Sequence, residues 1–93
     1  MNKLEGIIET YINGNRTNAK KQFRYWEHKH LTDKMQIIEC TELFGIRKTI
    51  KILKDIGLSD MYIINSFHDF DRENIDEAKE ILLNNFYTKY EKL

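Results

Sequence analysis

The stretch Glu27-His28-Lys29-His30 comes nearest to metal chemistry in this chain. With Asp33 or Cys40, His28 and His30 could supply three ligands to an ion. Zinc sites on helices space their ligands i, i+4, so that both side chains face one way. An i, i+2 pair diverges unless the helix ends there, and Leu31-Thr32 is where the next helix would begin. The competing reading is a helix C-terminus whose His and Lys side chains meet the last carbonyls. The spacing favours that reading, and no metal is expected. Asp69, Asp71, Glu73, Glu77 and Glu80 fall at positions one, three, five, nine and twelve of a calcium loop. That loop also needs glycine at six and an apolar residue at eight. Asn74 and Asp76 stand there instead, so the acidic run reads as the start of a helix. No Gly-rich phosphate loop, nucleophile motif or paired carboxylates with acid–base logic is present. Cys40 sits among Ile37, Ile38 and Leu43, the setting of a small buried hydrophobe. Neither a cofactor nor an enzymatic activity is expected.

Two stretches suit recognition better. Lys20-Lys21-Gln22-Phe23-Arg24-Tyr25-Trp26 interleaves basic and aromatic residues, which could stack single-stranded bases or anchor a protein interface. Phe23 and Trp26 fit a core face, leaving Tyr25 outside. Arg47, Lys48, Lys51 and Lys54 form a basic stripe on the helix that follows Gly45. Two short helices around Gly45 suggest a helix-turn-helix, whose second helix would meet phosphates or base edges. Lys51 stands where that motif wants a buried residue, Ile50 is out of step, and the net charge is zero. The candidate partner-binding residues are therefore Lys20, Lys21, Arg24, Tyr25, Arg47, Lys48, Lys51 and Lys54.

The elements that must position these residues are helices. The 93 residues contain no proline, 41% are apolar and 32% are charged, and the length suits one domain spanning 1–93. Apolar residues recur at i, i+3, i+4 in successive short segments. The pattern predicts helices over about 3–12, 18–29 (capped by Thr17), a third capped by Thr32, 46–56, a short one capped by Ser59, and about 72–91, capped by Asp69 or Asp71. Asn13-Gly14, Gly45 and Gly57 punctuate them, with Leu58 placed for the apolar contact of a helix cap. The predicted fold is all-α, a compact orthogonal bundle of five or six short helices with the longest helix C-terminal. The expected core is Leu4, Ile8, Ile12, Phe23, Trp26, Met35, Ile38, Leu43, Ile50, Leu53, Ile64, Phe67, Ile75, Ala78, Leu82 and Phe86.

Charge is divided along the chain. Residues 1–54 carry eleven Lys/Arg against six Asp/Glu, and residues 55–93 carry four against nine. Such a dipolar chain can offer two unlike faces to partners or pair head to tail with another copy, with Tyr25, Tyr62 and Tyr87 as further contacts. Its acidic half could also imitate nucleic acid. No apolar run is long enough to span a membrane, and the first residues lack the apolar stretch of a signal peptide. One cysteine suits a reducing compartment, so a cytoplasmic location is expected.

Tyr11-Ile12-Asn13-Gly14-Asn15 and Ala19-Lys20-Lys21-Gln22 resemble the opening of small helical proteins encoded by bacteriophages and mobile elements of low-GC bacteria. The resemblance covers under a fifth of the chain. It implies an accessory protein, acting in the cytoplasm of a bacterial host cell, that binds and modulates a host macromolecule. The expected function is non-catalytic protein binding that inhibits or redirects a host machine by surface occlusion. A small helix-turn-helix nucleic-acid-binding regulator is the alternative. A host protein is the expected partner, with nucleic acid or a second copy as further possibilities and no membrane.

Overall fold

The computed structural model describes residues 2–30 and 33–91, with side chains described for 2–29 and 33–84. Six helices follow in order: α1 (Lys3–Ile12), α2 (Arg16–His30), α3 (Met35–Phe44), α4 (Ile46–Ile56), α5 (Asp60–Phe70) and α6 (Ile75–Glu91). A turn of 3-10 helix, Arg72–Asn74, leads into α6, the longest of them. Among the described residues there is no strand, and no helix is long and apolar enough to cross a membrane. The radius of gyration is 12.7 Å, close to the ~12–13 Å of a compact chain this long.

The local chemistry of the helix ends sets these boundaries. Asn2 caps α1: its side-chain oxygen accepts from the Glu5 N–H at 2.8 Å, satisfying a donor with no partner inside the helix. At α2 the cap is Asn15, whose Oδ1 accepts from the Asn18 N–H at 3.1 Å. Thr17, expected in that role, lies inside the helix, which begins two residues earlier than its spacing suggested. Thr32, expected to cap α3, lies outside the described residues. Gly45 alone links α3 to α4, at φ 92°, where a side chain would strain the backbone. Gly57 ends α4 at φ 119°. The Leu58 N–H then reaches the Leu53 carbonyl at 2.9 Å and the Gly57 N–H reaches Lys54 at 3.2 Å, the paired bonds of a Schellman cap. Leu58 is buried, as its position predicted. Ser59 caps α5 by accepting from the Tyr62 N–H at 3.2 Å. Asp69 falls inside α5, and the Asp71 side chain makes no cap bond to the next helix. It accepts instead from the Asn74 side-chain amide at 2.9 Å.

α4 is the central element among the described residues. It packs against α1, α2, α3 and α6, while α5 packs against α3 and α6. Its buried residues, Thr49, Ile50, Ile52, Leu53 and Ile56, therefore cover a wider arc than one stripe. Trp26, Phe23, Phe67, Leu4, Ile8, Ile37, Leu53 and Ile63 complete the centre of the core, each worth ~1.5–3 kcal/mol when fully withdrawn from water. The Phe23 and Trp26 rings stack at 5.7 Å, and Tyr62 meets Trp26 edge-on at 6.4 Å. Gln36 joins three helices. Its Oε1 accepts from Trp26 Nε1 at 3.0 Å and from the Leu4 N–H at 3.3 Å.

Three expected core residues are exposed: Ile12, Met35 and Leu43. Ile12 is the last residue of α1, and Met35 the first of α3. In α3 the buried side is formed by Ile37, Ile38, Cys40 and Thr41, so Leu43 faces away from it. Ile64 and Ile75 are only partly buried against the core, and Phe86 lies beyond the described side chains. Leu4, Ile8, Phe23, Trp26, Ile38, Ile50, Leu53, Phe67, Ala78 and Leu82 are buried as expected.

Candidate functional site

α1 packs against both helices that carry the basic stripes, α2 and α4. At about 100° per residue, Lys3, Gly6, Ile7 and Thr10 lie on its α2 flank, and Ile12 on its α4 flank. Each flank borders an open groove. The first, of about 490 Å³, includes Gln22, Tyr25 and Trp26 of α2. The second, of about 450 Å³, is lined by Tyr11, Ile12, Lys48, Lys51 and Ile52. In the second groove an exposed isoleucine and two exposed lysines share one surface, an apolar floor with a cationic rim.

A three-residue junction adjoins this groove through Tyr11. Arg16 forks onto Asp55, with Nε to Oδ2 at 2.6 Å and Nη2 to Oδ1 at 2.9 Å. The Tyr11 hydroxyl donates to the same Oδ2 at 2.5 Å. The Arg16 hydrogen bond, with that of Tyr11, holds the Asp55 carboxyl at about 2, below the ordinary 3.8, and the charge of Lys20 adds to the effect. Hydrogen bonding to Asp55, then burial, raises the Tyr11 hydroxyl. The junction ties the α1–α2 turn to the end of α4. Lys20, one turn beyond Arg16, is near enough for its charge to act on Asp55.

The eight sequence-derived residues therefore divide. Lys48 and Lys51 line the second groove, Lys20 acts on Asp55 through its charge, and Arg24 follows Lys20 by one helical turn. Tyr25 is exposed in the other groove, with the Lys29 ammonium 6.0 Å from its ring centre. Lys21 and Arg47 are exposed. Lys54 is drawn aside by an ion pair with Asp60. Arg16 and Asp55 were missed by the sequence reading. The available signal was a single carboxylate, Asp55, interrupting the basic stripe of α4.

The other constellations do not assemble among the described residues. Among the described residues no three His, Cys, Asp or Glu side chains could together hold a metal ion; the His30 side chain lies outside them, and His28 is exposed. Cys40 is fully buried, and burial pushes its thiol up to about 12. Tyr62 is half-buried against Trp26, and Tyr87 lies beyond the described side chains.

No family model, curated protein or solved structure matches this chain.

Proposed function

We propose that this chain is a non-catalytic protein-binding module that engages an acidic surface of a partner through the groove between α1 and α4. The observation that carries the reading is the exposed Ile12 set beside Lys48 and Lys51 over Ile52. An apolar contact with a charged rim is the composition of a protein interface. The Arg16–Asp55–Tyr11 junction supports it by fixing the relative positions of the three helices that contribute, so binding would order few groups. In keeping with the resemblance of the opening residues, the partner is a host macromolecule, and the effect is occlusion of the partner's surface.

The helix-turn-helix alternative finds less support. That motif joins its helices by three or four residues, whereas Gly45 alone joins α3 to α4. α4 is packed by four neighbours, which leaves a narrow basic ridge instead of a helix free to enter a groove of DNA.

The test is affinity capture with tagged protein from a lysate of a low-GC bacterium, with and without nuclease. A stoichiometric protein partner retained after nuclease treatment is expected. Nucleic acid alone, lost on treatment, would overturn the reading in favour of the regulator.

A further inference from the structure

A second apolar surface lies elsewhere on the molecule, and its charge is opposite. Phe70, the last residue of α5, and Met35, the first of α3, are each 47% exposed. They border a groove together with Asn2 and Glu39. Phe70 also borders an adjoining depression with Ile46, Glu42, Asp71 and Glu73. Lys34, which also lines the first of these grooves, is held by Asp69 at 3.1 Å. The result is an apolar centre rimmed by carboxylates, the counterpart in sign of the Ile12 groove rimmed by Lys48 and Lys51.

The two surfaces share no residue. Asn2, at one end of α1, borders the acidic face, and Tyr11 and Ile12, at the other end, line the basic groove. Ten helical residues set them ~15 Å apart, in a molecule 32 × 30 × 22 Å across. One copy can therefore offer both at once. A heterologous contact needs two different, complementary patches on the same chain, and both are present here.

We propose that a second copy of this chain docks its Phe70–Met35 face into the α1–α4 groove, with Glu42 and Glu73 opposite Lys48 and Lys51. Phe70 supplies the apolar contact against Ile12 and Ile52, and the charges set the orientation. Self-association then covers the groove that the partner-binding reading uses, so the free concentration of the chain controls how much groove is available. The self-contact does not depend on that reading, because it is measured on the purified chain alone.

The test is sedimentation velocity from micromolar to about 1 mM, the range in which a small interface saturates. The average mass is expected to rise from one copy towards two or more. Association is expected to weaken at least ~10-fold when salt rises from about 0.1 M to about 1 M, which shortens the screening length from about 10 Å to about 3 Å. Lys48→Glu/Lys51→Glu and Glu42→Lys/Glu73→Lys, all at exposed positions, should each be monomeric alone, and mixing the two should restore association. Phe70→Ser should weaken it without changing the charge. Circular dichroism confirms that each variant is folded. A wild-type chain that stays monomeric at about 1 mM, or folded charge variants that fail to rescue each other when mixed, would overturn the proposal.

Discussion

Asp55→Asn removes the charge at the junction of α1, α2 and α4 while keeping the shape of the side chain. Arg16 and Tyr11 hold the carboxyl at about 2 in place of 3.8. At about 1.36 kcal/mol per pH unit, that difference sets a ceiling of about 2.4 kcal/mol on what ionisation of Asp55 contributes to stability. The Asp55 side chain is 35% exposed and that of Arg16 is 55% exposed, so water screens the pair, and ion pairs of this exposure give ~0.2–1 kcal/mol. The expected cost of the substitution at neutral pH is therefore about 1 kcal/mol, or ~4–8 °C in Tm for a chain of this length. Because the folded value is depressed, the unfolded chain takes up the proton first as pH falls. The contribution is complete well above 3.8, declines as pH falls through that value, and is gone below about 2. Urea titrations of both proteins at several pH values across this window read the difference directly. A gap that is absent at neutral pH, or one that persists undiminished to about pH 2, would refute the assignment of the junction to Asp55 ionisation.

Three further substitutions or probes test other parts of the structure. The Cys40 thiol, pushed up to about 12 from 9.0 and fully buried, has about a thousandfold less thiolate at neutral pH than an ordinary thiol. Alkylation should be at least ~100-fold slower in the native protein than in denaturant, and equal rates would contradict the burial. The Tyr62 hydroxyl is enclosed with no hydrogen-bond partner among the described residues, so Tyr62→Phe should leave stability unchanged or raise it by up to ~1 kcal/mol; a clear loss in thermal denaturation would show that the hydroxyl is satisfied. Gly57→Ala has room for its Cβ, 3.9 Å from Phe23. Its expected cost of ~1–2 kcal/mol comes from the left-handed backbone alone, and a neutral result in the same assay would exclude that strain.

The glycine-marked ends of helices and the Ser59 cap were the most legible parts of the fold, because the residues that set them act locally. Gly57 followed by Leu58, and Ser59 after them, each carry out in the structure the role their types imply. The predicted bounds of α1 and α4 coincide with those observed. The core was less legible where polar residues enter it. In α3 both the Met35–Ile38 spacing and the Ile37–Cys40–Thr41 spacing satisfy helical periodicity, and the buried side takes the second set together with Ile38 and leaves Met35 outside. Thr41 is admitted because its hydroxyl donates to the Ile38 carbonyl at 2.7 Å. Thr49 donates to the Cys40 carbonyl at 3.1 Å and Ser66 to that of Tyr62 at 2.8 Å. Satisfied in this way, hydroxyls bury at little cost, and a search for apolar residues passes over them. At the candidate site the basic residues were legible and their grouping was not. Arg16 and Asp55 are 39 positions apart, and only the packing of α1, α2 and α4 brings them together. The turn after α4 brings Asp60, the first residue of α5, to Lys54, and Tyr25 borders a different groove from Lys48 and Lys51.

Partner retention by the Lys48→Glu/Lys51→Glu protein is the most direct test of the groove as a binding surface. Both lysines are exposed, so the variant should fold as the wild type does. Captured side by side from nuclease-treated lysate, wild type should hold its protein partner, and the reversed groove should retain at least ~10-fold less. Equal retention by the folded variant would contradict the account and place the binding surface elsewhere on the molecule.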